Sequence, residues 1–132
     1  MTPRSLNADE RDVLDFLLTR EFPGRNELLV QAQSVQTTGL SCTCGCPSFT
    51  LQADRSLPPA PVTKRMPTDA HGTDPARNRV GVLLFVDDGY LSEVEVYSLG
   101  DDGFAGLPDT ATLKLSEWSE TDSSGVRRLL NP

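Results

Sequence analysis

The sequence predicts a two-layer α+β fold: an antiparallel sheet of about four strands with an N-terminal helix pair packed on one face. Three observations predict it. Residues 80–98, VGVLLFVDDGYLSEVEVYS, hold two β-rich runs on either side of Asp87-Asp88-Gly89, the composition of a hairpin. Residues 48–54 alternate, with Phe49, Leu51 and Ala53 on one side and Ser48, Thr50, Gln52 and Asp54 on the other. That is the pattern of a half-buried strand. Val13, Leu14, Leu17 and Leu18 make one apolar stripe at helical spacing, bordered by Phe16.

The hairpin allows two registers. A two-residue loop at Asp88-Gly89 sets Val86 against Leu91, Leu84 against Glu93 and Val82 against Glu95, which mixes acids with apolar partners. A three-residue loop, Asp87-Asp88-Gly89 with a Gly bulge, pairs Val86 with Tyr90, Leu84 with Ser92, Val82 with Val94 and Val80 with Val96. The second register gives one almost wholly apolar face and is the expected one. It places Glu93 and Glu95 on the other face together with Leu83, Phe85 and Leu91. Three large apolar groups there would form a dimer or partner surface, or a second small core.

In chain order, residues 1–6 read as a frayed tail. Asn7 is an N-cap with Glu10 three residues on, a variant of the capping box, and Asp9, Glu10 and Asp12 favour the positive end of a helix. Phe22-Pro23-Gly24 stops that helix. A second helix over 26–33 turns Leu28, Leu29 and Ala32 inward. Residues 35–40 are β-prone, with Gly39 as a break. Residues 55–79 hold five of the ten prolines and read as a long Pro-rich loop, of a length that is either functional or disordered. After the hairpin, Leu107-Pro108 leads to an extended piece over 111–115, an added edge strand. Residues 119–132 read as a flexible tail. The 132 residues suit a single domain, 1–132, with its core over about 7–118.

The formal net charge of −7 argues against nucleic acid or an anionic membrane as the partner, since both call for a cationic surface. No apolar run approaches the roughly 18–20 residues that span a bilayer. The polar N-terminus lacks the apolar region of a signal peptide, so a cytoplasmic location is expected. Charge is segregated along the chain. Residues 55–79 carry five basic and two acidic groups, and residues 80–122 carry one basic and ten acidic. An acidic half therefore follows a basic middle segment.

All three cysteines fall in Ser41-Cys42-Thr43-Cys44-Gly45-Cys46-Pro47. In one reading Cys42, Cys44 and Cys46 bind zinc or copper as thiolates, with His71 as fourth ligand and Gly45 and Pro47 supplying the tight turn. The spacing is shorter than the usual zinc knuckle, and no second CxxC accompanies it. In another, Cys42 and Cys46 form a disulfide, which a cytosolic setting disfavours. In the third, the leading one, they are small packing residues at a strand start and no cofactor is bound. A nucleophilic cysteine would need a base, and His71 is the single histidine, placed in the Pro-rich loop.

The acids Asp87, Asp88, Glu93, Glu95, Asp101 and Asp102 suit a basic protein partner, although acids on an exposed strand face and in turns also serve solubility and local hydrogen bonding. No EF-hand, P-loop, GxGxxG, HExxH or GxSxG motif is present.

Phe22-Pro23-Gly24, Glu27-Leu28 and Gln31, followed by a β segment, then residues 83–97 (LLFVDDGYLSEVEVY) and Leu107-Pro108, resemble small uncharacterised actinobacterial proteins in which a helix pair precedes an LLxVxDGxLSExExY hairpin. The resemblance covers roughly residues 9–115 and is most specific in the hairpin. It implies the same fold and a bacterial cytosol, and it carries over no functional residue.

The expected function is a non-catalytic interaction module, an immunity-type or regulatory partner of a basic protein, acting through the six acids above, with homodimerisation an option. A metal-binding structural or sensor module through the cysteines is the alternative, and a cysteine-dependent enzyme the third.

Overall fold

A computed structural model describes residues 2–41, 45–100 and 103–116. Among these residues two helices, α1 (Ala8–Leu17) and α2 (Arg25–Ala32), accompany two antiparallel sheets. The small sheet pairs β1 (Arg4–Ser5) with β2 (Gln36–Thr37). The large one has five strands, one more than expected: β3 (Phe49–Thr50), β4 (Thr68–Thr73), β5 (Arg79–Asp87), β6 (Tyr90–Ser98) and β7 (Lys114–Leu115). Their spatial order is β3-β6-β5-β4-β7, every neighbour antiparallel.

The capping box forms as read. Asn7 Oδ1 accepts from the Glu10 amide at 2.8 Å, and Glu10 Oε1 accepts from the Asn7 amide at 2.9 Å. Arg4 closes on the same carboxylate with both guanidinium ends. Residues 4 and 5 are thus pinned by an ion pair and a short strand rather than frayed. Val13, Leu14, Leu17 and Leu18 are all buried. On α2 the inward set is Leu28, Gln31 and Ala32; Leu29 faces solvent. Gln31 takes the inward position because its amide has backbone partners there. Nε2 donates to Gly89 O at 2.9 Å and Pro58 O at 3.2 Å, while Oε1 accepts from the Leu91 amide at 3.0 Å.

The hairpin corrects the expected register. The loop is Asp88-Gly89, both at positive φ (55° and 86°), as a type I′ turn requires. Asp87 pairs with Tyr90 and Val86 with Leu91. Ser92 is then left over as a bulge, and from Phe85–Glu93 onward the pairs are Leu84–Val94, Val82–Val96 and Val80–Ser98. The bulge, not the turn, restores the apolar face. It also turns Leu91 inward, away from the glutamates with which the sequence grouped it. The partners of the bulged segment explain its position: Gln31 takes the Leu91 amide, and the Leu51 amide donates to Ser92 O at 2.8 Å.

The 55–79 segment is a second correction. Thr68–Thr73 is β4, an inner strand between β5 and β7, so the expected loop ends at residue 67. Its Pro-rich part lies along the hairpin, with the Ala60 amide donating to Gly89 O at 2.7 Å and the Val86 amide to Arg65 O at 2.8 Å. A Cβ on Gly89 would come within 2.6 Å of Pro59, so the turn glycine serves this packing as well as its own φ. The expected edge strand at 111–115 is β7, preceded by a 3₁₀ turn at Thr110–Thr112. The expected tail at 119–132 lies outside the described residues.

Buried residues of both helices share one cluster with Phe49, Ala70, Val80, Val82, Leu84, Val86, Leu91, Val94 and Val96. Among the described residues no helix is long and apolar enough to cross a membrane.

Candidate functional site

Strand alternation fixes what lies on the other face of the sheet, opposite that cluster. One row across the strands is Asp69–Leu83–Glu95, a second is His71–Gly81–Tyr97 with Lys114 beyond His71, and a third is Phe85–Glu93–Thr50. Leu83, Phe85, Glu93, Glu95 and Tyr97 are each half-buried. The face mixes carboxylates with two aromatic rings and a leucine.

Gly81 shapes its centre. A Cβ there would stand 2.1 Å from Tyr97 Cζ, so the phenol ring lies directly over the glycine. Burial, followed by the negative charges of Asp69 and Glu95, pushes the Tyr97 hydroxyl above its ordinary ionisation range.

Of the acids singled out in the sequence, Glu93 and Glu95 stand on this face two residues apart, and Asp87 lies further toward the turn. Asp87 is engaged within the chain. Arg65 Nε donates to its Oδ1 at 2.6 Å, and that bond, with one from the Ser92 hydroxyl, holds the carboxyl below the ordinary aspartate range. The Arg65 guanidinium also stacks 4.7 Å from the Phe85 ring centre. The basic segment thus folds over the turn end of the acidic hairpin. Glu93 accepts from Ser41 Oγ at 2.8 Å. The Glu95 carboxylate has no ion pair or hydrogen bond among the described residues. Asp88 is exposed in the turn. Asp101 and Asp102 lie outside the described residues.

His71 is a strand residue, not the loop residue expected, and its Nδ1 lies 3.4 Å from Ser116 Oγ. Cys42 and Cys44 lie outside the described residues. Cys46 Sγ donates to Ser48 Oγ at 3.3 Å, and Ser48 in turn takes the Val96 amide at 2.8 Å beside β6. Cys46 lies three residues ahead of β3 and His71 on β4, with β6 and β5 between those two strands. Among the described residues no group of three or more His, Cys, Asp or Glu side chains is placed to hold a metal.

Sequence reasoning missed Asp69, Tyr97, Arg79 and Lys114. Tyr97 was within reach, because it shares the parity of Glu93 and Glu95. The others depend on β4 being a strand, which its composition hides. Also missed was Asp74, buried after β4. Its carboxylate accepts from the Ala76, Asn78 and Ala105 amides and from Asn78 Nδ2, at 2.8–3.0 Å. Burial works to raise its pKa, but these bonds prevail and hold it below the ordinary 3.8. Its role is to fold the β4–β5 turn; the Asp-Pro-x-x-Asn pattern was the available signal.

No family model, curated protein or solved structure matches the chain. Chemically, the face offers half-buried carboxylates beside apolar and aromatic surface, which suits recognition of a cationic group carried on an apolar body.

Proposed function

We propose that the chain is a non-catalytic interaction module that takes a basic protein partner on the outer face of its sheet, as an immunity-type or regulatory protein does. The observation that carries this reading is Glu95, half-buried without an ion-pair partner among the described residues, in a row with Leu83 and Asp69 and beside Tyr97. An unpaired carboxylate in partly desolvated surroundings gains by meeting a cation, and the apolar neighbours supply burial. The reading takes the two helices as one layer packed on the sheet; the buried cluster common to helices and strands supports that arrangement. The resemblance to small actinobacterial proteins and the acidic balance favour a bacterial cytosolic setting.

The test is affinity capture from a bacterial host with the wild-type chain and with Glu93→Lys/Glu95→Lys, compared by quantitative mass spectrometry. A basic protein retained by the wild type and lost by the variant, with both chains melting alike, is the expected result. A partner retained equally by both, or none above background with the wild type, overturns the reading.

A further inference from the structure

The outer face changes sign along its length. At the end away from the hairpin turn it meets an open groove of about 730 Å³ that crosses the β7 edge, lined on the outer face by His71, Arg79, Lys114 and Leu99 and on the cluster side by Leu115 and Phe16. Among the described residues no acid lines it, in a chain of net charge −7.

The register explains why the cations converge. Lys114 pairs with His71, and Arg79 with Thr73 two residues further along β4. All four therefore share one face, with Lys114 and Arg79 on opposite sides of β4 and their Cα atoms about 12 Å apart. Two long side chains at that spacing reach a common point above the strand. Neither side chain has an ion pair or hydrogen bond among the described residues. Leu99, 45% exposed, lies beside Arg79, its amide donating to Arg79 O at 2.9 Å. Past β7 the groove continues to Leu115 and to Phe16 near the end of α1. The volume lies within the usual range of small-molecule sites, about 300–1,000 Å³.

We infer that this groove binds a small amphipathic carboxylate, its head group clamped between Arg79 and Lys114 and its apolar body running past β7 onto Leu115 and Phe16. Arginine presents a fork that matches a carboxylate in plane, and lysine adds a point charge. The site is separate from the acidic rows, so Glu93→Lys/Glu95→Lys leaves it intact, and the two proposals fail independently.

The test uses the full chain and 8-anilinonaphthalene-1-sulfonate, an amphipathic anion whose fluorescence rises in apolar surroundings, displaced by decanoate or by decyltrimethylammonium. The wild type should bind the dye saturably at one site. Decanoate should displace it and the cation should not. Arg79→Gln/Lys114→Gln should bind at least about tenfold more weakly with an unchanged melt. Should that variant melt early, Lys114→Gln alone, a change at an exposed position, serves as the second variant and should weaken dye and decanoate alike. Non-saturating dye binding, equal displacement by the cation, or full affinity in the folded variants overturns the inference.

Discussion

The two faces of the β5–β6 hairpin carry opposite kinds of residue on one backbone. Toward the shared buried cluster stand Val80, Val82, Leu84, Val86, Leu91, Val94 and Val96. On the other side Leu83, Phe85, Glu93, Glu95 and Tyr97 are each half-buried and mix charge with apolar surface. The first face is explained by burial alone, at about 1.5–3 kcal/mol for each large side chain. The second is not. Burial does not account for half-buried glutamates beside aromatic rings; the partner surface proposed above would.

Substitutions at neighbouring positions separate the two faces most clearly. Leu84→Ala should cost about 2–5 kcal/mol in urea unfolding, because it leaves a cavity in the shared cluster. Leu83→Ala, one residue away and on the opposite face, should cost on the order of 1 kcal/mol. Equal losses would mean that the outer face is core. Gln31→Ala should cost about 1–3 kcal/mol, since it strips partners from the Leu91 amide and the Gly89 carbonyl beneath the turn.

Gly81→Ala should cost about 1–3 kcal/mol and lift the Tyr97 ring off the sheet. It also sharpens the account through pH. Because the folded Tyr97 hydroxyl ionises above the ordinary value of 10.0, the stability it contributes is present below that value and is lost as pH rises through the folded one. In Gly81→Ala the phenol should titrate closer to its ordinary value, read by absorbance near 295 nm. The acidic limb has a different origin. Asp74 ionises below 3.8 when folded, so its contribution is present above that pH and is lost as pH falls through the folded value. Asp74→Asn should flatten the decline of the urea midpoint between about pH 5 and 3; an unchanged decline would remove Asp74 from that role.

What the sequence made legible follows period and local chemistry. The α1 stripe, the capping box at Asn7 and Glu10 and the alternation of Phe49, Leu51 and Ala53 are short-range patterns, and each is found in the fold. The bulge at Ser92 was not legible, because it is set by Gln31 on α2 and Leu51 after β3, far away in sequence. β4 was hidden for a related reason. Thr-Asp-Ala-His-Gly-Thr has poor strand character, and it becomes a strand because β5 and β7 supply partners on both sides. Without β4, neither the row of Asp69, Leu83 and Glu95 nor the approach of Arg79 to Lys114 has any sequence signature. The acidic hairpin was legible as composition, whereas its partial neutralisation by Arg65 depends on how the Pro-rich segment lies.

The most direct test of separate duties for the two faces is the affinity of the captured partner for Glu93→Lys/Glu95→Lys relative to wild type, at low salt, alongside the urea midpoint. Binding should weaken at least about tenfold with stability unchanged within about 0.5 kcal/mol. Undiminished binding, or a chain that unfolds markedly earlier, would contradict that separation.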